Sequence, residues 1–420
     1  MKNIKTDIAV IGGGAAGLTA AVTASGAGRK VILIEREMRL GGVLNQCIHS
    51  GFGLHYFKEE LTGPEYADKL IQKLNNCDAE IFTGSSVTEI RKIPGGHQLT
   101  VFSAVHGIFQ ISARAVILAM GCRERCRGNI GIPGSRCAGV FSAGLAQQLI
   151  NSDGYLPGKK AVIVGSGDIG LIMARRLMWN NINVECVVEI MPFPAGLSRN
   201  IAQCLEDFDI PLYLSHTVTE ICGRERVEGV KIAPLVNGRA DYTQERFIEC
   251  DTVLFSVGLV PENELAASCG VKINPVTGGA QVDGNLMCSI EGIFSCGNVL
   301  HVHDLVDFVS LEAERAAANA VLFYDNKLVY GAETEITAGT NVRYVVPQSF
   351  MPSAGGKFFM RSSIVADNAL LEVYDSQNNI ILSKRLRYVK PPEMISFELP
   401  PVNSDAVSVH LKDLNYEKNQ

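Results

Sequence analysis

Two stretches of this chain set glycines ahead of a later acid at spacings suited to gripping a pyrophosphate and the ribose beside it. The first is Gly12-Gly13-Gly14-Ala15-Ala16-Gly17, with Glu35 eighteen residues after Gly17 and Arg36 next to it. A glycine at 12 makes the tight turn, one at 14 lets backbone approach a pyrophosphate, and one at 17 lets helix and strand pack closely. The helix that opens at Ala15 and Ala16 supplies unpaired N–H groups and a positive partial charge for phosphate. Glu35 can accept hydrogen bonds from both ribose hydroxyls. The second stretch is Gly165-Ser166-Gly167-Asp168-Ile169-Gly170, with Glu189 nineteen residues after Gly170. Two such devices, 153 residues apart from Gly12 to Gly165, imply two bound dinucleotides. Glu189 would repel a 2′-phosphate, Ile190-Met191-Pro192-Phe193 holds no cation, and Arg199 is the nearest one downstream. The second site is therefore expected to prefer NAD(H) to NADP(H).

Other reactive side chains are scattered. His301-Val302-His303-Asp304 groups two imidazoles, and His49 and His55 flank the glycine-rich Gly51-Phe52-Gly53. Cys122 and Cys126 are spaced C-x-x-x-C among Arg123, Arg125 and Arg127, whose guanidinium groups would lower a thiol pKa. None of the 12 cysteines forms a C-x-x-C pair, so neither a dithiol of that type nor a metal site is expected.

The elements that must position these residues are legible. The apolar run Ile8-Ala9-Val10-Ile11 reads as a strand feeding the first turn, with an alanine-rich helix to about Gly26 and a strand Val31-Ile32-Leu33-Ile34 ending at Glu35. The second copy repeats this: strand Ala161-Val162-Ile163-Val164, helix to about Trp179, strand 184–188. Residues 86–113 and 218–257 alternate in polarity around turns and read as β-meanders. A helix is expected over 309–324, with Asp304 or Asp307 available as its cap. Past about Glu333 the pattern is strands alone, at 341–350, 356–365, 369–374, 380–388, 394–399 and 406–411, with a hairpin at 376–379. That suggests a small sandwich serving as a docking surface for a partner or second protomer.

With 420 residues, 47% hydrophobic and 20% charged, the chain is long enough for about three domains and too apolar for disorder. A formal charge of −6 and the lack of a basic stripe exclude nucleic acid as an expected partner. The scattered cysteines fit reduced thiols in a cytoplasm. Residues 1–29 imitate a signal peptide, but Asp7 and the glycines at 12, 13, 14 and 17 argue otherwise. No apolar run of about 18 residues is present to span a membrane.

Over about residues 4–325 the chain resembles the flavoproteins with two dinucleotide-binding domains, the thioredoxin reductase-like and glutathione reductase-like enzymes. Beyond the glycine turns, the resemblance rests on Gly41-Gly42, on Ala115-Val116-Ile117-Leu118-Ala119-Met120-Gly121 with Ile132-Pro133-Gly134, and on Gly292-Ile293-Phe294-Ser295-Cys296-Gly297-Asn298-Val299. The closing motif departs from the family at Asn298, where an Asp normally holds a ribityl hydroxyl. Longer strings, Gly42-Val43-Leu44-Asn45-Gln46-Cys47-Ile48-His49, Gly121-Cys122-Arg123-Glu124-Arg125 and Cys296 through Asp304, resemble bacterial FAD/NAD oxidoreductases associated with anaerobic glycerol-3-phosphate dehydrogenase. They are similar also to the larger subunits of amine- and opine-oxidising complexes.

The resemblance implies an α/β fold of two Rossmann-like domains, FAD in the first and NAD(H) in the second, with the second inserted in the first and a C-terminal all-β domain added. The expected boundaries are 1–145 and 256–332 for the FAD domain, 146–255 for the NAD(H) domain and 333–420 for the β domain. Arg36, Gly41, Gly42, Gly121, Gly258, Gly297 and Asn298 would join the two glycine turns in binding cofactor. Cys47 would lie near the flavin, and His301 and His303 would pass a proton during its reduction or reoxidation; these three are the candidate catalytic residues. The N-terminus of the helix after Asn298 would face the flavin and stabilise its reduced anion. Disulfide reductases of this fold carry a redox pair after the first Gly-Gly or at the start of the nicotinamide domain. Here the first place has only Cys47, and the second reads Val140-Phe141-Ser142-Ala143-Gly144-Leu145. The expected activity is electron transfer between NAD(H) and an acceptor, a small molecule or a protein such as a glycerol-3-phosphate dehydrogenase-like subunit, in a chain that can self-associate. A thiol reductase and a non-catalytic FAD/NAD-responsive docking protein are the alternatives.

Overall fold

The computed structural model describes residues 3–330 and 333–415. Residue 332, at the expected end of the FAD domain, and 416–420 of the expected β domain lie outside the described residues. The chain divides into two compact units, Met1–Cys122 with Pro261–Gln420, and Arg123–Val260.

In the first unit the strand Asn3–Ile11, buried on both faces over its last four residues, is central. It pairs in parallel with Val31–Ile34, aligning Ile8 with Val31, and with Gly107–Leu118, aligning Ile8 with Ala115. Val31–Ile34 is buried throughout, as a strand covered on both faces must be. The short strand Ile293–Ser295 pairs with Val116–Leu118 and brings the late part of the chain onto the same sheet. The meander expected over 86–113 is present as the antiparallel strands Ser85–Ile93, Gly96–Ser103 and Gly107–Leu118. Helix Ala15–Gly26 packs on the long helix Val306–Tyr324, and the alanines of both let their axes approach. Helix Gly63–Asn75 starts from a capping box, Thr62 with Glu65.

The long helix begins at Val306, three residues before the sequence suggests, and its cap position is Leu305 with no side-chain cap. Neither Asp304 nor Asp307 caps it, because both carboxylates are committed elsewhere. After it, Thr334–Ala338, Ser349–Phe350, Ala366–Asp375, Ile380–Val389 and Ala406–Asp413 form one sheet, and Val342–Val346, Gly356–Ser362 and Met394–Leu399 another. The sheets share a core of Phe350, Phe358, Met360, Leu371, Val373, Val409 and Leu411. Tyr344 and Val346 instead join the core of the dinucleotide fold, and Gln348 exchanges two hydrogen bonds with the Val282 backbone.

The second unit holds a parallel sheet ordered Val140–Ser142, Thr252–Phe255, Lys160–Val164, Asn183–Val188, Leu212–Tyr213. Helix Asp168–Trp179 packs on it, and an antiparallel sheet of His216–Gly223, Val227–Val236 and Arg246–Glu249 completes the unit. Among the described residues no helix is long and apolar enough to cross a membrane.

Candidate functional site

The first glycine turn is held by backbone on both sides. Gly12 has φ +107°, and a Cβ there would stand 2.4 Å from the Ala119 carbonyl oxygen. A Cβ on Gly17 would stand 1.7 Å from the carbonyl oxygen of Gly12, so the helix and turn touch through backbone alone. Gly14, by contrast, has nothing within 4 Å of its Cβ position, and it caps helix Ala15–Gly26 with no side-chain hydrogen bond. No side chain caps the first-turn N–H groups, which a pyrophosphate could therefore use. Gly41 donates its N–H to the Gly13 carbonyl (2.8 Å), and the Gly42 Cβ position lies 3.1 Å from the Gly14 Cα. Glu35 is buried at the end of its strand; Oε2 accepts from the Gly13 N–H and Oε1 from the Glu37 N–H. Arg36 is exposed at the rim, 3.8 Å from Glu37 and from Glu262. Gly121 stands at φ +71° with open space around its Cβ position. These features fit the adenosine half of FAD.

The second turn repeats the geometry within the second unit. A Cβ on Gly165 would meet the Ser256 carbonyl oxygen at 2.2 Å and one on Gly170 the Ser256 Cβ at 2.6 Å. Gly167 caps helix Asp168–Trp179 without a side-chain bond. Buried Glu189 accepts from the Ser166 N–H (2.8 Å) and hydroxyl (2.6 Å) and from the Met191 N–H (2.9 Å). Asp168, next to Ile169 in the first helical turn, accepts from the Leu197 N–H and the Asn200 amide, fixing the loop beyond Glu189. Gly258, φ +100°, accepts from the Arg125 N–H.

At the closing motif, Gly297 packs on Ala16, its Cβ position 2.9 Å from the Ala16 Cβ. Its N–H donates to Glu312 Oε1 (2.7 Å). His301 Nε2 lies 2.8 Å from Glu312 Oε2 and His303 Nε2 3.1 Å from Oε1, all three side chains being buried. Burial alone would raise the Glu312 carboxyl, but the two imidazoles against it outweigh this and hold it well below the usual carboxylate range. Burial lowers His301, which favours the neutral ring with its Nε2 proton on Glu312. Two nitrogens and a carboxylate so close together are a ligand set for a divalent ion. Each contact is already a donor–acceptor pair, however, and the cations Arg315 and Arg361 act on this cluster from their own buried sites. We therefore read it as a hydrogen-bonded triad.

Asn298 accepts the His303 N–H (3.0 Å) on its side-chain oxygen. Its NH2 makes no hydrogen bond among the described residues, so a ribityl hydroxyl would accept from Asn298, where in the family it donates to an Asp. The histidine loop is gripped from the other side by Arg361 of the β-rich region. Its guanidinium bonds the Val302 carbonyl (3.0 Å) and the Asp304 carboxylate, which also accepts the Met394 N–H (2.6 Å). Asp307 collects three backbone N–H groups, from Gly53 (3.1 Å), His55 (3.1 Å) and Tyr56 (2.7 Å), and so pins the loop after Gly51.

Of the expected catalytic residues, His301 and His303 are brought together but turned onto Glu312 and sealed in the interior. Cys47 is half-buried, with its sulfur 3.3 Å from the Val43 carbonyl, and burial pushes the thiol up to about 12. A thiol so disfavoured as thiolate is a poor nucleophile, so Cys47→Ser is expected to change the rate of flavin reduction less than about twofold, measured by stopped flow. His49 touches Phe52, exposed His55 stacks on Phe308, and Cys122 and Cys126 fall on either side of the boundary between the two units. Sequence reasoning missed Glu312, Arg361, the loop-pinning role of Asp307 and the hydroxyl of Ser166. Only the last had a visible signal, as the residue at which the two glycine turns differ in their second position.

Comparison with known proteins adds the following. The model of the family described as pyridine nucleotide-disulphide oxidoreductase matches residues 6–320. Thioredoxin reductase of Bacillus subtilis is 26% identical over 295 residues, 70% of this chain and 86% of that protein. Hydrogen cyanide synthase subunit HcnB of Pseudomonas protegens is 26% identical over 328 residues, 73% of this chain and 67% of that protein. Among solved structures, T. acidophilum thioredoxin reductase superposes with a TM-score of 0.64 at 26% identity, over 77% of this chain and 99% of that one. L-proline dehydrogenase from P. horikoshii, at 20% identity and TM-score 0.54 over 78% and 59% of the two chains, shares the fold.

Proposed function

The chain belongs to the pyridine nucleotide-disulphide oxidoreductase family, an oxidoreductase family that uses FAD and a nicotinamide nucleotide, and from that premise we propose that this protein moves electrons between NAD(H) and the oxidised or reduced centre of a partner subunit. The observation that carries the reading is the pair of matched cradles, each a glycine-capped helix with a buried acid beside it. Bound flavin supplies hydride acceptance and electron release. The chain's own part is to bind and orient: Gly14 and Gly167 keep their own side chains off the helix ends, Glu35 and Glu189 read ribose, and Gly297 and Asn298 line the ribityl end. The triad of Glu312, His301 and His303 positions that end of the site from the interior.

The reading favours a partner subunit over a thiol substrate for two reasons. The redox cysteine pair is missing from both places where disulfide reductases of this fold carry it, and Cys47 is held as a thiol. HcnB is by name one subunit of a synthase, which supports a dehydrogenase subunit as partner here, a glycerol-3-phosphate dehydrogenase-like one among the choices. The strand Ile380–Val389 is the edge of its sheet and carries Lys384, Arg385 and Arg387 with exposed Ile380 and Tyr388. It is where such a partner, or a second protomer, would pair. A cytoplasmic location accords with twelve cysteines kept as thiols.

Anaerobic titration of the FAD-loaded protein with NADH and, separately, NADPH tests this. NADH is expected to bleach the oxidised flavin band with one equivalent, and NADPH to do so at least about tenfold more weakly. Flavin that neither nucleotide bleaches would transfer the argument to the docking alternative.

A further inference from the structure

The two ribose-reading acids differ in what they have left to give. An ionised carboxylate offers about four lone-pair positions, two on each oxygen. Glu35 has one donor on each oxygen, the Gly13 N–H on Oε2 and the Glu37 N–H on Oε1. One position stays open on each side, which suits the two hydroxyls of a vicinal diol. Glu189 has two donors on Oε2, the N–H and the hydroxyl of Ser166, and the Met191 N–H on Oε1. Oε2 is therefore full, and one position remains on Oε1.

The difference comes from one residue. Ser166 stands where the first turn has Gly13, and a Cβ at 13 would lie 2.7 Å from Leu40 Cδ2 and 3.0 Å from Glu35 Oε2, so a side chain there requires Leu40 to move aside. In the second turn the Ser166 hydroxyl is fully buried and doubly used: it donates to Glu189 and accepts the Ala195 N–H (2.8 Å). It ties the acid and the loop after it into one rigid piece.

We propose that Ser166 is a positioning residue that restricts Glu189 to a single ribose hydroxyl, so that the second fold holds its nicotinamide nucleotide by one hydroxyl and releases it readily, while the first holds FAD by two. The inference rests on the reading of the second fold as the NAD(H) site. Its consequence is a division of labour: the resident cofactor gets the bidentate acid and the exchanging one the monodentate acid.

The test measures binding of NAD+, 2′-deoxy-NAD+ and 3′-deoxy-NAD+ to the FAD-loaded wild type and Ser166→Ala by calorimetry. In the wild type, removing one of the two hydroxyls is expected to weaken binding about tenfold and removing the other less than twofold. In Ser166→Ala, which frees Oε2, both deletions are expected to weaken binding about tenfold, and NAD+ itself to bind more tightly. Equal sensitivity of the wild type to both deletions, or a variant with unchanged preference, overturns the proposal while leaving the NAD(H) assignment intact. Absence of NAD+ binding to either protein overturns both. A merely structural role for Ser166 would weaken all three ligands alike.

Discussion

Glu312→Gln is expected to purify with less than about a tenth of the wild-type FAD and to lose about 1–3 kcal/mol of stability, the usual cost of leaving a buried hydrogen-bond donor without its acceptor. The carboxylate is the common acceptor for the Gly297 N–H and both imidazoles. A glutamine has one acceptor oxygen for three donors and points its own NH2 at the others. Among the described residues both imidazole Nδ1 atoms are buried without partners, so the cluster has no reserve. The flavin-to-protein absorbance ratio reports the first effect and urea unfolding the second. The effect also has a pH signature. Burial lowers His301 from 6.5, so its contribution to stability is intact above that value and declines as the pH falls through it. The depressed Glu312 carboxyl contributes fully above 4.5 and is lost below. The variant's buried His301 suffers the same loss, so wild type and variant should converge in stability only as the solution is acidified below about pH 4.5, where the Glu312 contribution is lost. A gap that stays constant over that range would refute the account of the triad.

Gly17→Ala and Gly170→Ala are expected to split the two nucleotides. At 17 the added methyl would stand 1.7 Å from the Gly12 carbonyl oxygen, a contact that only reopening the turn can relieve, at a cost of about 3 kcal/mol or more. The protein should then come off the column colourless. At 170 the methyl meets the side chain of Ser256 at 2.6 Å and displaces the Ser256 hydroxyl that accepts the Gly170 N–H. FAD should be retained and its reduction by NADH slowed at least about tenfold. The opposite pattern, with Gly170→Ala colourless and Gly17→Ala yellow, would exchange the assignment of the two folds.

What could be read from the chain alone was whatever is carried by neighbours in sequence. A glycine turn, its helix and the acid about twenty residues on form one local unit, so both copies were legible down to Glu35 and Glu189. Alternation of polarity exposed the β-rich end for the same reason. The ties that shape the site are of another kind. Asp307 meets Gly53 across 254 residues, and Arg361 meets Asp304 across 57, and no spacing announces either. Asp307 looked like a helix cap because acids near helix starts usually are. The pull of three loop N–H groups outweighed that local preference. His301 and His303 are near neighbours in sequence and visible as a pair, but their orientation is set by Glu312 on the helix, and that requires knowing how the helix packs.

The first unit is built from two separate stretches of sequence, Met1–Cys122 and Pro261–Gln420, and the second from the one stretch between them. On the ribosome this fixes an order of events. The second unit is complete as soon as about residue 260 has emerged, whereas the first glycine turn must wait for Ile293–Ser295 to join its sheet, for Glu312 to close the triad, and finally for Arg361 and Met394 to grip the histidine loop. Contacts of such long sequence separation form late and slowly. Capture of FAD thus waits until the chain past Met394 has emerged, and a product cut short before it would carry a complete nicotinamide fold and an incomplete flavin fold.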